Sequence, residues 1–268
     1  MFLPDNIDLA HSEKYNLSIR LTPSGFSFCI YSPSDSSIFS YQDTSISKDI
    51  PYIDSLKKLI FDFGFFSQIF NETSVTIVDS QFTIIPKEYW NEHKANSISN
   101  FCFHSPKKII LFDESPKNDL ITLFGIDEEV YSFLLRHLNN PVFRHYSTYL
   151  MNLYNGYADK ADINTLFIDF NSDYLSLMCY YKHDIASCTA IRNSSDTNSI
   201  YHIFNVWNEH GLDQENDKIF ISGFHYRHIT IIKELEKLIR NVELIELLPK
   251  VQPIDDIKNI PTDILTRV

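Results

Sequence analysis

Two stretches of the chain, 149 residues apart, share one pattern of apolar and polar positions. The first covers 17–31 and the second 166–180, and in both the apolar residues alternate with other residues on either side of a short turn. The pairs that are identical without a gap are Leu17/Leu166, Ile19/Ile168, Ser27/Ser176, Tyr31/Tyr180 and Asp35/Asp184. A period of two, interrupted by turn residues, is typical of paired strands. The duplicated strand–turn–strand unit therefore predicts two related halves with a cleft between them.

The first half continues with a mixture of strand and helix patterns. The sequence predicts strands at 17–22, 26–31, 37–42, 75–77, 82–84, 108–112 and 120–124. Apolar spacing predicts a helix over 53–63 after Pro51, and Pro86 is expected to open another that runs to about Asn100. Asp127 before two glutamates predicts a capped helix start. A further helix is predicted around Tyr146 to Leu153.

The second half repeats the order more clearly, as β-β-β-α-β-α-β. Strands are predicted at 165–170, 174–181, 185–191, 218–222 and 242–247, and helices at 200–207 and 232–239. A polar stretch from Gly156 to Asp162 is the expected boundary, which divides the chain into a first half at 1–160 and a second half at 161–268. The tail after Pro249, which contains Pro253 and Pro261, is expected to form an extended strap or a frayed end.

Composition and charge argue against some classes of function. The formal net charge is −12, so we expect neither a broad nucleic-acid surface nor direct membrane insertion. There is no unbroken apolar run of about 18 residues and no signal-peptide pattern at the N-terminus, which favours a cytoplasmic protein. The four cysteines show no CxxC spacing, and three lie in predicted strands as small core residues: Cys29, Cys179 and Cys188.

Three antiparallel strands followed by α-β-α-β is the order of the ribonuclease-H-like half of actin-like ATPases. With its duplication, the chain from about Asn16 to Leu247 resembles that superfamily, nearest in pattern to the PilM and FtsA types. More narrowly, it resembles an uncharacterised bacterial family, a domain of unknown function with that fold. The resemblance implies an α/β protein of two ribonuclease-H-like halves, each with a mixed sheet and flanking helices. Residues about 75–125 are additional to a minimal ribonuclease-H-like half, and an inserted subdomain is expected there.

In active members of the superfamily, each half opens with a strand that runs into an Asp-x-Gly turn. The Asp manages magnesium and its water, and the Gly lets backbone N–H groups approach the phosphates. The second half of this chain matches at Asp169, but Asn171 stands where the glycine is expected. The first half has Arg20 at the Asp position and Thr22 at the Gly position.

A later Gly-Gly-type turn lies against the adenosine in the superfamily; here it matches at Gly223 and departs at Phe224. A Cβ in a phosphate turn restricts φ and fills space that the ligand needs. Arg20 also replaces a metal ligand with a cation. These departures favour a non-catalytic protein-interaction or scaffold module that uses no cofactor. Its protein partner is not identified by the sequence, and a homodimer is one candidate assembly.

Two other functions stay open. A divergent nucleotide-binding switch of the PilM/FtsA type would hold ATP and magnesium with Asp169, Asn171 and Gly223, and would place Arg20 on the phosphates. A nucleic-acid-processing remnant of the ribonuclease-H fold would need several acidic residues at strand ends, and only Asp169 meets that requirement.

The remaining polar and aromatic clusters have simpler interpretations. The cluster 225–228 (His-Tyr-Arg-His) could meet a metal or an anion, but it has no nearby Cys or acidic pair and is typical of an exposed helix turn. His137 and His145 are likewise expected to be solvated helix-end groups. The aromatic run 63–66 (Phe-Gly-Phe-Phe) is expected in the core; any exposed part would form an anchor for another protein. The chain contains no Gly-x-Ser-x-Gly nucleophile motif.

Overall fold

The computed structural model of the protein describes residues 6–46, 49–105, 107, 109–115, 117, 119–247 and 257–267. The strands are β1 (Asn16–Thr22), β2 (Gly25–Tyr31), β3 (Phe39–Ser45), β4 (Glu72–Ile77), β5 (Phe82–Pro86), β6 (Ile109–Ser115), β7 (Leu120–Ile126), β8 (Val142–His145), β9 (Thr165–Phe170), β10 (Tyr174–Tyr181), β11 (Asp184–Arg192), β12 (Lys218–Gly223) and β13 (Asn241–Leu244). The α-helices are α1 (Tyr52–Asp62), α2 (Ala95–Cys102), α3 (Glu128–His137), α4 (Tyr146–Ala161), α5 (Asp196–Glu209), α6 (Ile229–Leu238) and α7 (Thr262–Leu265).

The first sheet has the strand order β3-β2-β1-β4-β8. Its central strand β1 is antiparallel to β2 and parallel to β4, so Arg20 lies opposite Ser27 on one side and beside Thr76 on the other. The residues of β1 that alternate with Arg20 pack in a core with α1 and α3: Leu17, Ile19 and Leu21. Since side chains alternate between the faces of a strand, Arg20 lies on the other face of the sheet.

The second sheet has the order β11-β10-β9-β12-β13 and matches the first strand for strand. Its central strand β9 is antiparallel to β10 and parallel to β12, so Asp169 lies opposite Ser176 and beside Ser222. Arg20 and Asp169 therefore occupy equivalent positions on the central strands of the two sheets. The repeated sequence pattern corresponds to a repeated sheet.

Helix α4 follows the last strand of the first sheet and covers one face of the second sheet. Its buried residues Tyr146, Leu150 and Tyr154 pack in one cluster with residues of the second sheet that include Phe167 and Met178. Tyr154 stacks on Phe167, with ring centroids 4.3 Å apart. An element of the first half thus completes the core of the second.

The polar stretch that we expected between the halves is mostly helical. Gly156 lies inside α4, which continues to Ala161, and Asp162 then adopts the left-handed conformation (φ 48°). A Cβ at Gly156 would meet no atom within 4 Å, so nothing local requires a glycine there.

A third sheet, with the order β5-β7-β6, lies between β4 and α3 in the chain. Asp113 of this small sheet reaches the start of α4, where its carboxylate accepts hydrogen bonds from Thr148 Oγ1 (2.6 Å) and from the backbone N–H of His145 (2.8 Å). Burial raises the pKa of Asp113 to about 6, against the opposing effect of these hydrogen bonds. The sheet is thereby anchored to the helix that joins the two larger sheets.

The predicted elements hold in most places and shift in a few. Asp127 caps α3 as expected, accepting the backbone N–H of Glu129 at 2.9 Å. The third strand lies at 39–45 rather than 37–42, and the helix expected from Pro86 is reduced to 3₁₀ turns at 87–89 and 92–94 followed by α2. Pro86 itself ends β5, so the helix begins later than its proline suggested.

The expectation for His145 is wrong. Its side chain is fully buried, accepts the backbone N–H of Ser147 through Nδ1, and places Nε2 3.1 Å from the carbonyl oxygen of Asp79. Burial lowers the pKa of His145 to about 3, so the ring is neutral and caps α4 from inside the core. None of the described helices is long and apolar enough to span a membrane.

Candidate functional site

The cleft between the two large sheets holds most of the sequence-predicted site residues. Arg20 and Asp169 each keep only 2% of their surface exposed. Asp169 is flanked by the third predicted residue, Gly223, because a Cβ at Gly223 would lie 2.9 Å from Asp169 Oδ1. Asn171 follows directly after β9 and is buried. The fold therefore brings Arg20, Asp169 and Gly223 to one cleft and leaves Asn171 in the turn that follows β9.

The chain's own C-terminal segment, residues 257–267, occupies this cleft. Thr262 Oγ1 donates a hydrogen bond to Asp169 Oδ1 at 2.5 Å. The next residue, Asp263, accepts from Arg20 Nε through both carboxylate oxygens, at 3.1 and 3.0 Å. Thr262 and Asp263 are as deeply buried as their partners. Two consecutive residues of the segment thus bind the two equivalent positions of the repeat.

Asp169 lies in a chain of hydroxyl groups. Ser222 Oγ donates to Asp169 Oδ1 at 2.7 Å, and Tyr154 Oη lies 2.7 Å from Ser222 Oγ. Because the Ser222 proton is used on the carboxylate, the Tyr154 hydroxyl donates to Ser222. Burial raises the pKa of Asp169 to about 6, although the hydrogen bonds from Thr262 and Ser222 oppose this. The carboxylate is held by neutral donors and gains only a minor contribution from Arg20.

Arg20 is a buried cation with one carboxylate bound at Nε. Burial lowers its pKa, but the charge of Asp263 and the hydrogen bond to it outweigh this effect, so the pKa lies above its ordinary value. The Nη2 atom is buried and has no hydrogen-bond partner among the described residues. Asp263 therefore supplies most of the charge compensation for the guanidinium, and Asp169 adds a smaller part.

The end of the C-terminal segment is bound by a second arginine. Arg267 donates to the hydroxyl groups of Ser18 and Ser74 through Nη1 and Nη2, and its guanidinium lies 4.7 Å from the ring centroid of Tyr149. Thr76 Oγ1 lies 3.4 Å from Nη1. These groups belong to β1, β4 and α4, so Arg267 ties the segment to the first sheet and to the connecting helix.

Two isoleucines of the segment fill an apolar site on the first sheet. Ile260 and Ile264 are buried in a cluster with Cys29 and Tyr31 of β2, and Phe39, Tyr41 and Leu265 pack around it. Both isoleucines are almost completely removed from water, which contributes roughly 1.5–3 kcal/mol for each such side chain. The segment is therefore docked by apolar as well as polar contacts.

Two residues of the predicted His-Tyr-Arg-His cluster, Tyr226 and Arg227, bind the start of the C-terminal segment. Asn259 Oδ1 accepts hydrogen bonds from Tyr226 Oη and from Arg227 Nη2, the latter at 3.1 Å. His228 stacks on Phe170, with ring centroids 4.4 Å apart. The described residues contain no group of three or more His, Cys, Asp or Glu side chains that could hold a metal ion.

The residues at the two glycine positions of the phosphate motif close their own turns. Asn171 Oδ1 accepts the backbone N–H groups of Asp173 (3.0 Å) and Tyr174 (2.9 Å). Thr22 Oγ1 accepts the backbone N–H of Gly25 at 3.1 Å. Side-chain oxygens therefore bind the N–H groups that a phosphate-binding turn would present to its ligand.

Gly223 keeps the geometry that requires a glycine. Its φ is +77°, and a Cβ would lie 2.2 Å from the carbonyl oxygen of Phe170. Phe224, which replaces the second glycine of the turn, is buried and donates its backbone N–H to the same carbonyl at 2.7 Å. This turn is preserved in backbone shape, with an aromatic side chain added.

A family model for a protein of unknown function, DUF3822, matches residues 4–242 of the chain. The chain belongs to the DUF3822 family. None of the curated proteins matches it in sequence. The uncharacterised-family resemblance expected from the sequence is thereby confirmed.

Solved structures show the fold of this DUF3822 chain. A Bacteroides thetaiotaomicron protein with an actin-like ATPase fold and unknown function is similar over 89% of this chain and 93% of its own, at 24% identity and a TM-score of 0.81. The PilM-PilN type IV pilus biogenesis complex contains a chain that is similar over 86% of this chain and 88% of its own, at 10% identity and a TM-score of 0.52. The actin-like ATPase fold is confirmed.

Sequence reasoning missed the residues that fill the cleft, Thr262, Asp263 and Arg267. They carry no motif, and the tail was expected to be extended or frayed. One signal was available. The residues on either side of Arg20 in its predicted strand are apolar or small, and a buried cation requires a carboxylate from elsewhere in the chain. The described part of the tail is folded; residues 248–256, which include Pro249 and Pro253, lie outside the described residues.

Proposed function

We propose that this protein is a non-catalytic interaction module of the cytoplasm, whose cleft is closed by its own C-terminal segment in place of a nucleotide. The observation that carries the proposal is the pair of adjacent contacts from Thr262 to Asp169 and from Asp263 to Arg20. In the superfamily that the chain resembles, these two strand positions face the phosphates and magnesium. Here both side chains are bound by the chain itself.

Three features of the cleft support this proposal. A carboxylate and a hydroxyl of the chain itself bind the side chains at the two motif positions. The turn N–H groups near Asn171 and Thr22 are bound by those side chains. Asp169 is held by hydroxyl donors in a buried site that raises its pKa, which disfavours the charged form that magnesium requires.

The fold is compatible with a role in protein binding. The similar chain of the PilM-PilN structure belongs to a type IV pilus biogenesis complex. At 10% identity this similarity concerns the fold alone, so it supports only the general proposal that an actin-like chain can serve as a binding module. The partner of this chain is a protein, and a second copy is one candidate.

Nucleotide titration of the purified full chain tests the proposal. ATP, ADP and GTP with magnesium at about 5 mM are expected to leave the melting temperature unchanged, because a ligand that binds the folded state raises it. We also expect no phosphate release above the protein-free blank. A concentration-dependent rise in melting temperature with ATP that disappears in Asp169→Asn would overturn the proposal.

The divergent nucleotide switch is the second candidate, and one observation favours it. Gly223 retains a positive φ and a backbone contact that no other residue permits, as a nucleotide-binding turn would need. A cavity of about 220 Å³ adjoins it, lined in part by Ile245, Leu247, Ile257 and Thr262. In this alternative the C-terminal segment leaves when nucleotide binds, so ATP should increase proteolysis of the tail after Lys258 or Arg267.

A further inference from the structure

The longest described strand of the protein, β11, lies at an edge of the second sheet. It pairs with β10 on one side, and no described strand pairs with its other side. The residues between Asp184 and Arg192 include neither a charge nor a proline. Natural sheets normally protect a long edge with such residues, because its free N–H and C=O groups can pair with another strand. The outer edge of β11 is therefore able to accept a further strand.

The other edges of the two large sheets are less suited to this role. Strands β8 and β13 have only four residues each. Strand β3 is longer but carries Asp43 in its interior. Short strands and charges within a strand are the usual means by which an edge avoids pairing.

The sequence of β11 reads almost the same in both directions from Cys188. A serine and a threonine lie next to this cysteine, followed on both sides by an alanine and then an isoleucine. The ends differ in charge, with Asp184 at one and Arg192 at the other. In an antiparallel pair of two such strands, like residues meet and each end of one strand meets the oppositely charged end of the other. A parallel pair would bring like charges together. The strand is therefore complementary to an antiparallel copy of itself.

A bulge in β11 sets the faces of this pairing. Ala186 has no partner on β10, since the register shifts at this point. As a result, Ile185 packs against the same cluster as Cys188 and Ala190, the one that contains α4. With Ala186 bulged, Ile185 lies opposite Ala190 of an antiparallel copy that is centred on Cys188. Opposed residues then share one face of the sheet, as cross-strand pairs must.

We infer that the outer edge of β11 binds β11 of a second copy of this chain, antiparallel and centred on Cys188, so that the two second sheets join into one. This arrangement has two-fold symmetry and uses the same surface on both copies. Asp184 and Arg192 are exposed, and neither forms an ion pair with a described residue of its own chain. In the dimer, each Asp184 lies beside Arg192 of the second copy, at a neighbouring register position. Two equivalent charge contacts therefore fix the direction of the pairing.

This inference rests on the proposed function and names the partner of the interaction module. The two fail separately, because nucleotide titration tests the occupant of the cleft and the association state tests the edge of β11. A chain that binds no nucleotide and stays monomeric would overturn the inference and leave the proposed function intact. A β11 dimer that binds ATP would do the reverse.

Charge reversal at the two ends of β11 tests both the partner and the direction. Sedimentation velocity of the full chain up to about 200 µM should show a dimer whose fraction rises with concentration. Asp184→Arg alone opposes arginines, and Arg192→Glu alone opposes acids, so each should raise the dimer Kd at least about fivefold. The double variant Asp184→Arg/Arg192→Glu should restore the wild-type Kd. An equimolar mixture of the two single variants should form heterodimers in preference to either homodimer, because both contacts then join opposite charges.

Glu236→Arg is the matched control, because it changes the net charge as much as Asp184→Arg does and lies exposed on α6. It should leave the Kd unchanged. Since the substituted residues are exposed, every variant should melt within about 2 °C of wild type when dilute. A wild-type chain that is monomeric throughout the range overturns the inference and leaves the edge to a strand of another protein. A dimer that is insensitive to the single reversals, or that neither the double variant nor the mixture restores, overturns it as well.

Discussion

Ser24 and Asp173 occupy equivalent positions in the two repeats, and their side chains hydrogen-bond to each other across the cleft, with Ser24 Oγ 2.9 Å from Asp173 Oδ2. Each residue belongs to the turn that follows the central strand of its sheet. The two equivalent turns of the duplication are therefore in direct contact. A direct bond leaves no space for a ligand between these two side chains.

A double-mutant cycle on this pair should measure how strongly the two turns interact. Ser24→Ala and Asp173→Ala should each destabilise the protein slightly, and the coupling free energy from urea unfolding should be about 0.5–1 kcal/mol, because the pair is exposed. Ser172→Ala changes an exposed neighbour of Asp173 in the same turn and should show no coupling to Ser24→Ala. Zero coupling for Ser24 and Asp173 would mean that the turns do not meet in solution.

The ion pair between Arg20 and Asp263 should be the most sensitive contact of the cleft. Asp263→Ala leaves the guanidinium buried without a carboxylate, so the free energy of unfolding should fall by about 3–5 kcal/mol. Arg20→Met combined with Asp263→Ala should recover at least part of the loss, because the uncompensated charge is gone. Denaturant titrations of wild type and of these two variants measure both effects.

The exposed pair Lys237–Glu234 provides the comparison for that experiment. Glu234→Ala should change the unfolding free energy by no more than about 0.5 kcal/mol, since exposed pairs contribute little. If Asp263→Ala costs no more than Glu234→Ala, the C-terminal segment does not occupy the cleft in solution.

Two glycines differ in whether the backbone requires a glycine at their position. Gly223→Ala places a Cβ 2.2 Å from a backbone carbonyl at a φ of +77°, so we expect a loss of at least about 1–3 kcal/mol. Gly156→Ala lies inside α4 with open space around it and should stabilise the protein by about 0.5–1 kcal/mol. Thermal and urea unfolding of both variants would measure the contrast; equal effects would contradict the positive φ of Gly223.

The fold could be predicted from the sequence because its signals are local. The alternation of apolar and other residues around Leu17 and Leu166, with turn residues between the strands, is visible without any tertiary information. The mixed sheet of each half was implied by the resemblance to actin-like halves, and the order of its strands came from the structure. Helix starts were less certain: Pro86 suggested a helix, but the structure continues β5 through Pro86 and delays the helix to Ala95.

The contents of the cleft could not be predicted, because they depend on contacts across about 90–250 residues of sequence. Asp263 and Arg20 are 243 positions apart, and neither lies in a motif that specifies the other. His145 was misjudged for the same reason, since its burial comes from packing against Phe82 and Phe124 of the small sheet. Long-range packing, not local pattern, decides which polar residues are buried.

The pH dependence of stability should reveal the buried state of Asp169. Its pKa in the folded protein is raised to about 6 from an ordinary value of 3.8, so the folded state binds the proton more tightly than the unfolded state. The stability contributed by this group is therefore fully present below about pH 4 and is lost as the pH rises through about 6.

Asp169→Asn removes this dependence. The free energy of unfolding of wild type relative to Asp169→Asn should fall by about 1–3 kcal/mol between pH 4 and pH 7. Asp113, whose pKa burial also raises to about 6, acts in both proteins and cancels in the difference. Urea unfolding at four or more pH values measures the trend; a difference that is flat or rises with pH would show that Asp169 is solvated and that Thr262 does not cover it.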